Sequence, residues 1–251
     1  MAKKKKCFLD MEFTGLHKLT TPISLGIVTE DGKEYYAEFD DYDEHQVDDF
    51  VQKNVVSKLM LDGYDFEQHY DPKAETVFVK GGTELIKNTL TEWLEQYKED
   101  GIEMWGDCLA YDWVLFTNIF GTAFDIPKHI YYLPMDICTA LKLCGEDPDV
   151  DREKFAYSGE ELEKSEADKH NSLADARTQL QVYKKILQKM SGAGNESLEA
   201  VNDEAKEESV KELPEVDNTV VEATQTTEKL PFIEPTQADL ERSEEWNPPL
   251  G

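Results

Sequence analysis

Asp10 and Glu12 are the first residues whose types and spacing could do chemistry. They lie in Phe8-Leu9-Asp10-Met11-Glu12-Phe13, which reads as a strand. Side chains alternate faces along a strand, so the two carboxylates point the same way. Side by side in an apolar element they repel, unless something positive neutralises them. A divalent cation is the natural partner, because hard ions take carboxylate oxygens. Taken alone, the pair is equally an acidic, solvated strand face.

Three more residues widen the picture. Asp112, in Ala110-Tyr111-Asp112-Trp113, stands at the start of a helix that follows a short strand. Sites in alternating strand–helix sheets form at the carboxyl ends of strands. A carboxylate there is also an ordinary helix cap or dipole partner, and Asp107 competes as the nearby acid. His170 and Asp175 lie in His170-Asn171-Ser172-Leu173-Ala174-Asp175-Ala176. Ser172 with Asp175 fits a Ser-x-x-Asp capping box. The functional alternative places Asp175 in the first helical turn facing the sheet, with His170 just before the helix. Five residues across a loop-to-helix transition can bring both toward one pocket, with the imidazole free to swing while Asp175 stays fixed.

The elements that would position these groups follow in order. Ile23–Thr29 and Lys33–Phe39 read as strands joined at Glu30-Asp31-Gly32, an antiparallel start to a sheet. Residues 44–59 carry a helical period through Val47, Phe50, Val51, Val55 and Leu59. Residues 60–80 read as an insertion or a loop with a short strand at Val77–Val79. Residues 83–98 form an amphipathic helix. Ile102–Trp105 is a short strand, Tyr111–Phe120 a helix stopped by Gly121, Ile130–Leu133 a strand, and Asp136–Leu143 a helix. Alternating strand and helix implies parallel crossovers. Residues 146–169 read as an acidic, irregular loop. Residues 173–190 form a last helix with one apolar stripe, through Leu173, Ala176, Leu180, Tyr183, Leu187 and Met190.

Composition sets bounds. The chain has 251 residues, with 54 acidic against 26 basic and a formal charge of -28. That balance argues against unassisted, non-specific binding to nucleic acid, although bound cations would change the local field. Four lysines near the start are followed by no apolar run of signal length, and no stretch suits a membrane span. The expectation is a cytoplasmic protein without a membrane partner. Cys7, Cys108, Cys138 and Cys144 form no Cys-x-x-Cys pair. Residues 192–251 hold 16 acidic and 4 basic residues with several prolines, which predicts a disordered acidic tail after a domain at 1–191. Leu230–Ile233 and Trp246–Leu250 are small apolar islands within it, whose partner the sequence does not identify.

In this order, Asp10-Met11-Glu12, Tyr111-Asp112 and His170-x-x-x-x-Asp175 resemble the DEDDh group of 3'-5' exonucleases. The resemblance sharpens toward the small mycobacterial-type 3'-5' exoribonucleases. It rests on Ile23-Ser24-Leu25-Gly26-Ile27-Val28, Glu30 to Tyr36, Tyr111-Asp112-Trp113 and His170 to Arg177, within residues 7–190. Residues 60–80, the loop before His170 and the tail lie outside it.

The resemblance implies an α/β, ribonuclease H-like fold: a mixed five-stranded sheet flanked by helices. It implies two divalent cations, Mg²⁺ or Mn²⁺, roughly 3.5–4 Å apart. Asp10 would bridge them, Glu12 and Asp175 would complete one site, and Asp112 would support the other. His170 would take the proton from the attacking water, and the product would be a nucleoside 5'-monophosphate. Phe13, Thr14 and Trp113 are candidate substrate contacts, through stacking for the rings, with Trp113 equally a core residue. The implied partner is single-stranded nucleic acid, RNA ahead of DNA. A homodimer is compatible with the family. Two other readings share the fold: an inactive ribonuclease H-like binding module with an interaction tail, and an endonuclease.

Overall fold

A computed structural model describes residues 4–207. Six strands form one sheet: β1 (Lys5–Phe13), β2 (Pro22–Thr29), β3 (Glu34–Phe39), β4 (Thr76–Gly81), β5 (Ile102–Gly106) and β6 (Met135–Asp136). Their order is β4-β3-β2-β1-β5-β6. β1 and β3 run antiparallel to β2, while β5 runs parallel to β1 and to β6. These five are the ribonuclease H-like set the resemblance implied. The sixth, β4, is the short strand of the 60–80 segment, and it extends the sheet by pairing parallel to β3.

Eight α-helices complete the described residues: α1 (Asp49–Asn54), α2 (Phe66–His69), α3 (Thr83–Leu94), α4 (Ala110–Phe120), α5 (Ile137–Leu143), α6 (Arg152–Ala156), α7 (Glu160–Asp168) and α8 (Ser172–Glu207). The last helix thus continues beyond the 191 boundary read from composition. From residue 208 the expected disordered tail lies outside the described residues. None of these helices is long and apolar enough to cross a membrane.

Four expectations are corrected. The helix expected over 44–59 breaks into a 3-10 turn, α1 and a second 3-10 turn. Asp43 and Asp48 each turn a side-chain oxygen onto a nearby backbone N–H, which starts a new helix at each. The strand expected at 130–133 is a single bridge from Ile130 to Ile102, and β6 forms only after Pro134. Proline has no N–H to give to a ladder, and Tyr132 and Leu133 turn outward. The helix expected through Lys98 ends at Leu94 and tightens into a 3-10 turn at Glu95–Tyr97. The loop expected at 146–169 contains α6 and α7; its acidity concealed Glu, Lys and Ala, which are strong helix formers.

The sheet has a core on each face. Cys7, Leu9 and Met11 pack with α3 and α4 on one side. On the other, Phe8 packs under α8, where the Tyr183 ring lies 5.2 Å from Phe8 and 4.7 Å from Trp105 between centroids. Alternation therefore puts Asp10 and Glu12 on the α8 face. A fully buried carboxylate on the same face, Glu38, accepts the Tyr36 hydroxyl at 3.0 Å and the Leu61 N–H at 2.9 Å. It fixes the start of the 60–80 segment, while β4 fixes its end.

Gly26 decides how closely α8 approaches. It is the register partner of Asp10 in β2. A β-carbon built there would stand 2.2 Å from the Ser172 carbonyl oxygen. The helix start therefore rests directly on the strand, and the buried Ser24 and Ser172 hydroxyls share a 2.9 Å hydrogen bond beside it. Gly26→Ala forces the two elements apart. The expected cost is about 1–3 kcal/mol, read as a lower urea midpoint with an unchanged slope.

Candidate active site

Each acid reaches the site from its own element. Asp10 and Glu12 come from β1. The Asp10 Oδ1 accepts a 3.0 Å hydrogen bond from Gln179 Nε2, a buried side chain of α8. Asp112 lies in the first turn of α4, yet no side-chain bond caps that helix. Its Oδ1 crosses to β1 and accepts the Met11 N–H at 2.8 Å, between the two strand acids. Asp107 lines the same cavity as Asp10 and Asp175 but is already paired there: Arg152 grips both its oxygens at 2.6 and 2.9 Å, and the Cys138 thiol donates to it. Asp112 is the acid hydrogen-bonded to β1, and Asp107 the one paired with Arg152.

The start of α8 carries the other two groups. The capping box read from Ser172 and Asp175 is not formed. Asn171 accepts the Ala174 N–H at 3.2 Å, Ser172 bonds Ser24, and Asp175 Oδ2 takes the His170 N–H at 2.9 Å. Ligand atoms of Glu12, His170 and Asp175 all lie within 4.8 Å of one another. Asp10 and Asp112 stand outside that compact triple; Asp10 and Asp175 share the wall of an adjoining cavity of about 420 Å³.

His170 has a left-handed backbone, φ 65°. For a residue other than glycine this costs of order 1–3 kcal/mol and persists only where neighbours enforce it. Lys58 enforces it, donating to the carbonyls of Ala167 and Lys169, while Asn171 Nδ2 donates back to the Lys58 carbonyl at 3.3 Å. The Phe50 ring meets the imidazole edge-on, 5.9 Å between centroids. Phe50, part of the helical period read over 44–59, is 59% exposed beside this histidine.

Electrostatics mark the cluster. Burial and then the Asp175 and Asp112 charges raise Glu12 to about 8, with Lys58 pulling the other way. Asp175 is raised to about 7 by burial, against its bond from the His170 N–H. Burial raises Asp112 to about 6, against the Met11 N–H. Asp10 lies well above the usual carboxylate range, from burial first and Asp175 next. His170 is held below its ordinary value by burial and then by Lys58 and Lys169, which keeps it neutral and able to accept a proton.

A stability consequence follows. The folded acids hold protons at pH values where the unfolded chain has released them. Stability without divalent ions therefore falls as pH rises from the ordinary carboxylate range to about 8. In chelator, a penalty of about 2 kcal/mol would lower Tm by roughly 4–8 °C between acid and alkaline buffer. Differential scanning calorimetry across that range checks it; a flat or rising Tm contradicts the electrostatic description.

The three substrate-contact candidates sit nearby but turn inward to different degrees. Phe13 stacks on Tyr111, with centroids 5.5 Å apart, and Trp113 stacks on Phe116; both rings pack against the core. Thr14 is buried, and its hydroxyl donates to Gln46 Oε1 at 2.6 Å. Four neighbours escaped the sequence reading: Lys58, Glu153, Lys169 and Gln179. The buried Glu153 pairs with Lys169 at 3.2 Å beside the His170 loop. Gln179 had a signal, since it is four residues after Asp175 and so on the same helix face. The others join the site only through tertiary folding.

Residues 5–187 match the family model described as the 3'-5' exoribonuclease Rv2179c-like domain. The chain belongs to that family. The Rv2179c-like match takes in every described strand and the acids and histidine read from the sequence: Asp10, Glu12, Asp112, His170 and Asp175. Among curated relatives, 3'-5' exoribonuclease Rv2179c of Mycobacterium tuberculosis H37Rv is 27% identical over 179 residues, 71% of this chain and 91% of the relative. The protein MT2234.1 of strain CDC 1551 matches equally. Among solved structures, the Neurospora crassa Pan2 catalytic unit (protease and nuclease domain) aligns with TM-score 0.43 at 17% identity. That alignment covers 78% of this chain and 29% of the other, a likeness too slight to carry any argument. As an Rv2179c-like domain the chain is a 3'-5' exonuclease.

Proposed function

We propose that this exonuclease is of the DEDDh type and hydrolyses single-stranded RNA, with DNA a poorer substrate, from the 3' end to nucleoside 5'-monophosphates. The observation that carries the reading is the convergence of four carboxylates from three elements separated in sequence: Glu12 and Asp175 lie beside His170, Asp10 shares a cavity wall with Asp175, and Asp112 bonds the Met11 N–H between the two β1 acids. The donor set fits hard divalent cations: four carboxylates that repel one another, with Lys58 and Lys169 as positive neighbours of the His170–Asp175 pair. Asp10, Glu12 and Asp175 would hold one Mg²⁺ or Mn²⁺, and Asp10 with Asp112 a second. When bound, such a pair supplies a nucleophile at neutral pH and offsets charge on the leaving 3' oxygen.

The chain's own groups do the rest. His170 accepts the proton of the attacking water as it adds to the phosphorus. The P–O3' bond breaks, the leaving 3' oxygen takes a proton from solvent water to become a 3' hydroxyl, His170 returns its proton to solvent, and the released nucleotide keeps its 5' phosphate. Asp175 holds the loop that carries His170 through its backbone N–H. Phe13, Thr14 and Trp113 line the approach in this reading, by packing rather than by free hydroxyl contact. An acidic surface disfavours long-range attraction of duplexes.

A substrate panel tests the class. Linear single-stranded RNA should be degraded fastest, linear DNA more slowly, duplexes least, and covalently closed circles left intact. Cutting of circles would make the enzyme an endonuclease. Tight, salt-sensitive duplex binding would contradict the single-strand preference.

A further inference from the structure

We infer that Gln179 is a positioning residue that sets the Asp10 carboxylate for cation binding. This rests on the two-cation reading above. Gln179 is only 4% exposed, stands in α8 one turn after Asp175, and lines the same cavity as Asp10 and Asp175. Its Nε2 donates to Asp10 Oδ1 at 3.0 Å. Among the described residues this is the hydrogen bond that fixes the Asp10 side chain. It occupies Oδ1 and, among the described residues, leaves Oδ2 open.

The amide is also half-used. Gln179 Oε1 is buried and has no hydrogen-bond partner among the described residues. A buried, unpaired amide oxygen costs of order 1–3 kcal/mol. In a core position an apolar side chain of similar volume would avoid that cost, so the arrangement suits a role that uses the amide. Donors to ligating carboxylates orient them and tune affinity, and losing one typically costs 10–100-fold in metal affinity or activity. Gln179 couples the two ends of the site as well. It ties a β1 ligand to the helix that carries Asp175, and the Gly26 contact brings that helix onto the strand.

The test uses the full chain and Mn²⁺ alone as the probe. Gln179→Met keeps the length and volume of the side chain but removes the donor. The expected result is Mn²⁺ affinity lower by about 10–100-fold in calorimetry, with kcat reduced and KM for a single-stranded RNA within about twofold. Tm in chelator should change little, because removing the unpaired buried oxygen offsets the lost hydrogen bond to Asp10. Wild-type Mn²⁺ affinity in Gln179→Met overturns the inference. A measurement on the unaltered chain covers the case in which the variant fails to fold. The Gln179 side-chain amide resonances should shift on Mg²⁺ titration, over the concentrations that saturate the site, and not with Na⁺ at matched ionic strength. Resonances that stay fixed during saturation overturn it equally. Absence of any Mn²⁺ or Mg²⁺ binding by the wild-type chain overturns the two-cation reading itself, and the inference with it.

Discussion

Asp10→Asn should lower the rate of RNA hydrolysis by at least about 10³-fold, beyond the usual loss from removing one electrostatic stabiliser. The size follows from position. Asp10 is the carboxylate that both proposed cations share, so its loss weakens two sites together. Asparagine is a sharper probe than alanine here. It keeps an oxygen to accept the Gln179 N–H, and so avoids leaving a buried donor unpaired. The same substitution removes the carboxylate that Asp175, Asp112 and Glu12 all crowd. Asp10→Asn should therefore melt higher than wild type in chelator at alkaline pH while being catalytically dead. Activity assays and calorimetry on one preparation give both readouts. A variant that loses stability and activity together would point to a structural role for Asp10 instead.

His170→Ala should slow hydrolysis by about 10²–10⁴, the range for a lost general base, with cation affinity unchanged. The backbone complicates the choice of variant, because His170 sits at φ 65° and alanine is strained there. His170→Gly and His170→Asn remove the imidazole while tolerating that conformation. All three should be slow to a similar degree. If glycine or asparagine restored the rate, the loss in alanine would come from a displaced loop. If none of the three were slow, the proton would be taken by another group. Cation titration by calorimetry separates this class from the ligand variants, which lose affinity as well.

Much of this was legible in the sequence, for reasons that differ by element. β1 shows itself because strand alternation is local, and it alone says that Asp10 and Glu12 share a face. The choice between Asp107 and Asp112 was not legible. Both follow β5 closely, and only folding shows Arg152 taking Asp107 while Asp112 reaches the Met11 N–H. The capping box at Ser172 misled because Asn, Ser and Asp all suit helix starts. The tertiary bond to Ser24 took Ser172, and Asn171 became the cap. β4 was visible as an apolar run but not as part of the sheet, since its pairing with β3 and the anchoring Glu38 are non-local. The clamp of Lys58 on the His170 loop spans more than a hundred residues and leaves no sequence period at all.

The most direct measurement follows a 5'-end-labelled linear single-stranded RNA with the wild-type chain, in Mg²⁺ or Mn²⁺ and in chelator. The expected pattern is shortening by one nucleotide at a time from the 3' end. It should occur only with the divalent ion, with nucleoside 5'-monophosphates as the released product. Hydrolysis undiminished in chelator, products bearing 3' phosphates, or no release with either ion would contradict the account of four carboxylates and a histidine acting together at the end of β1.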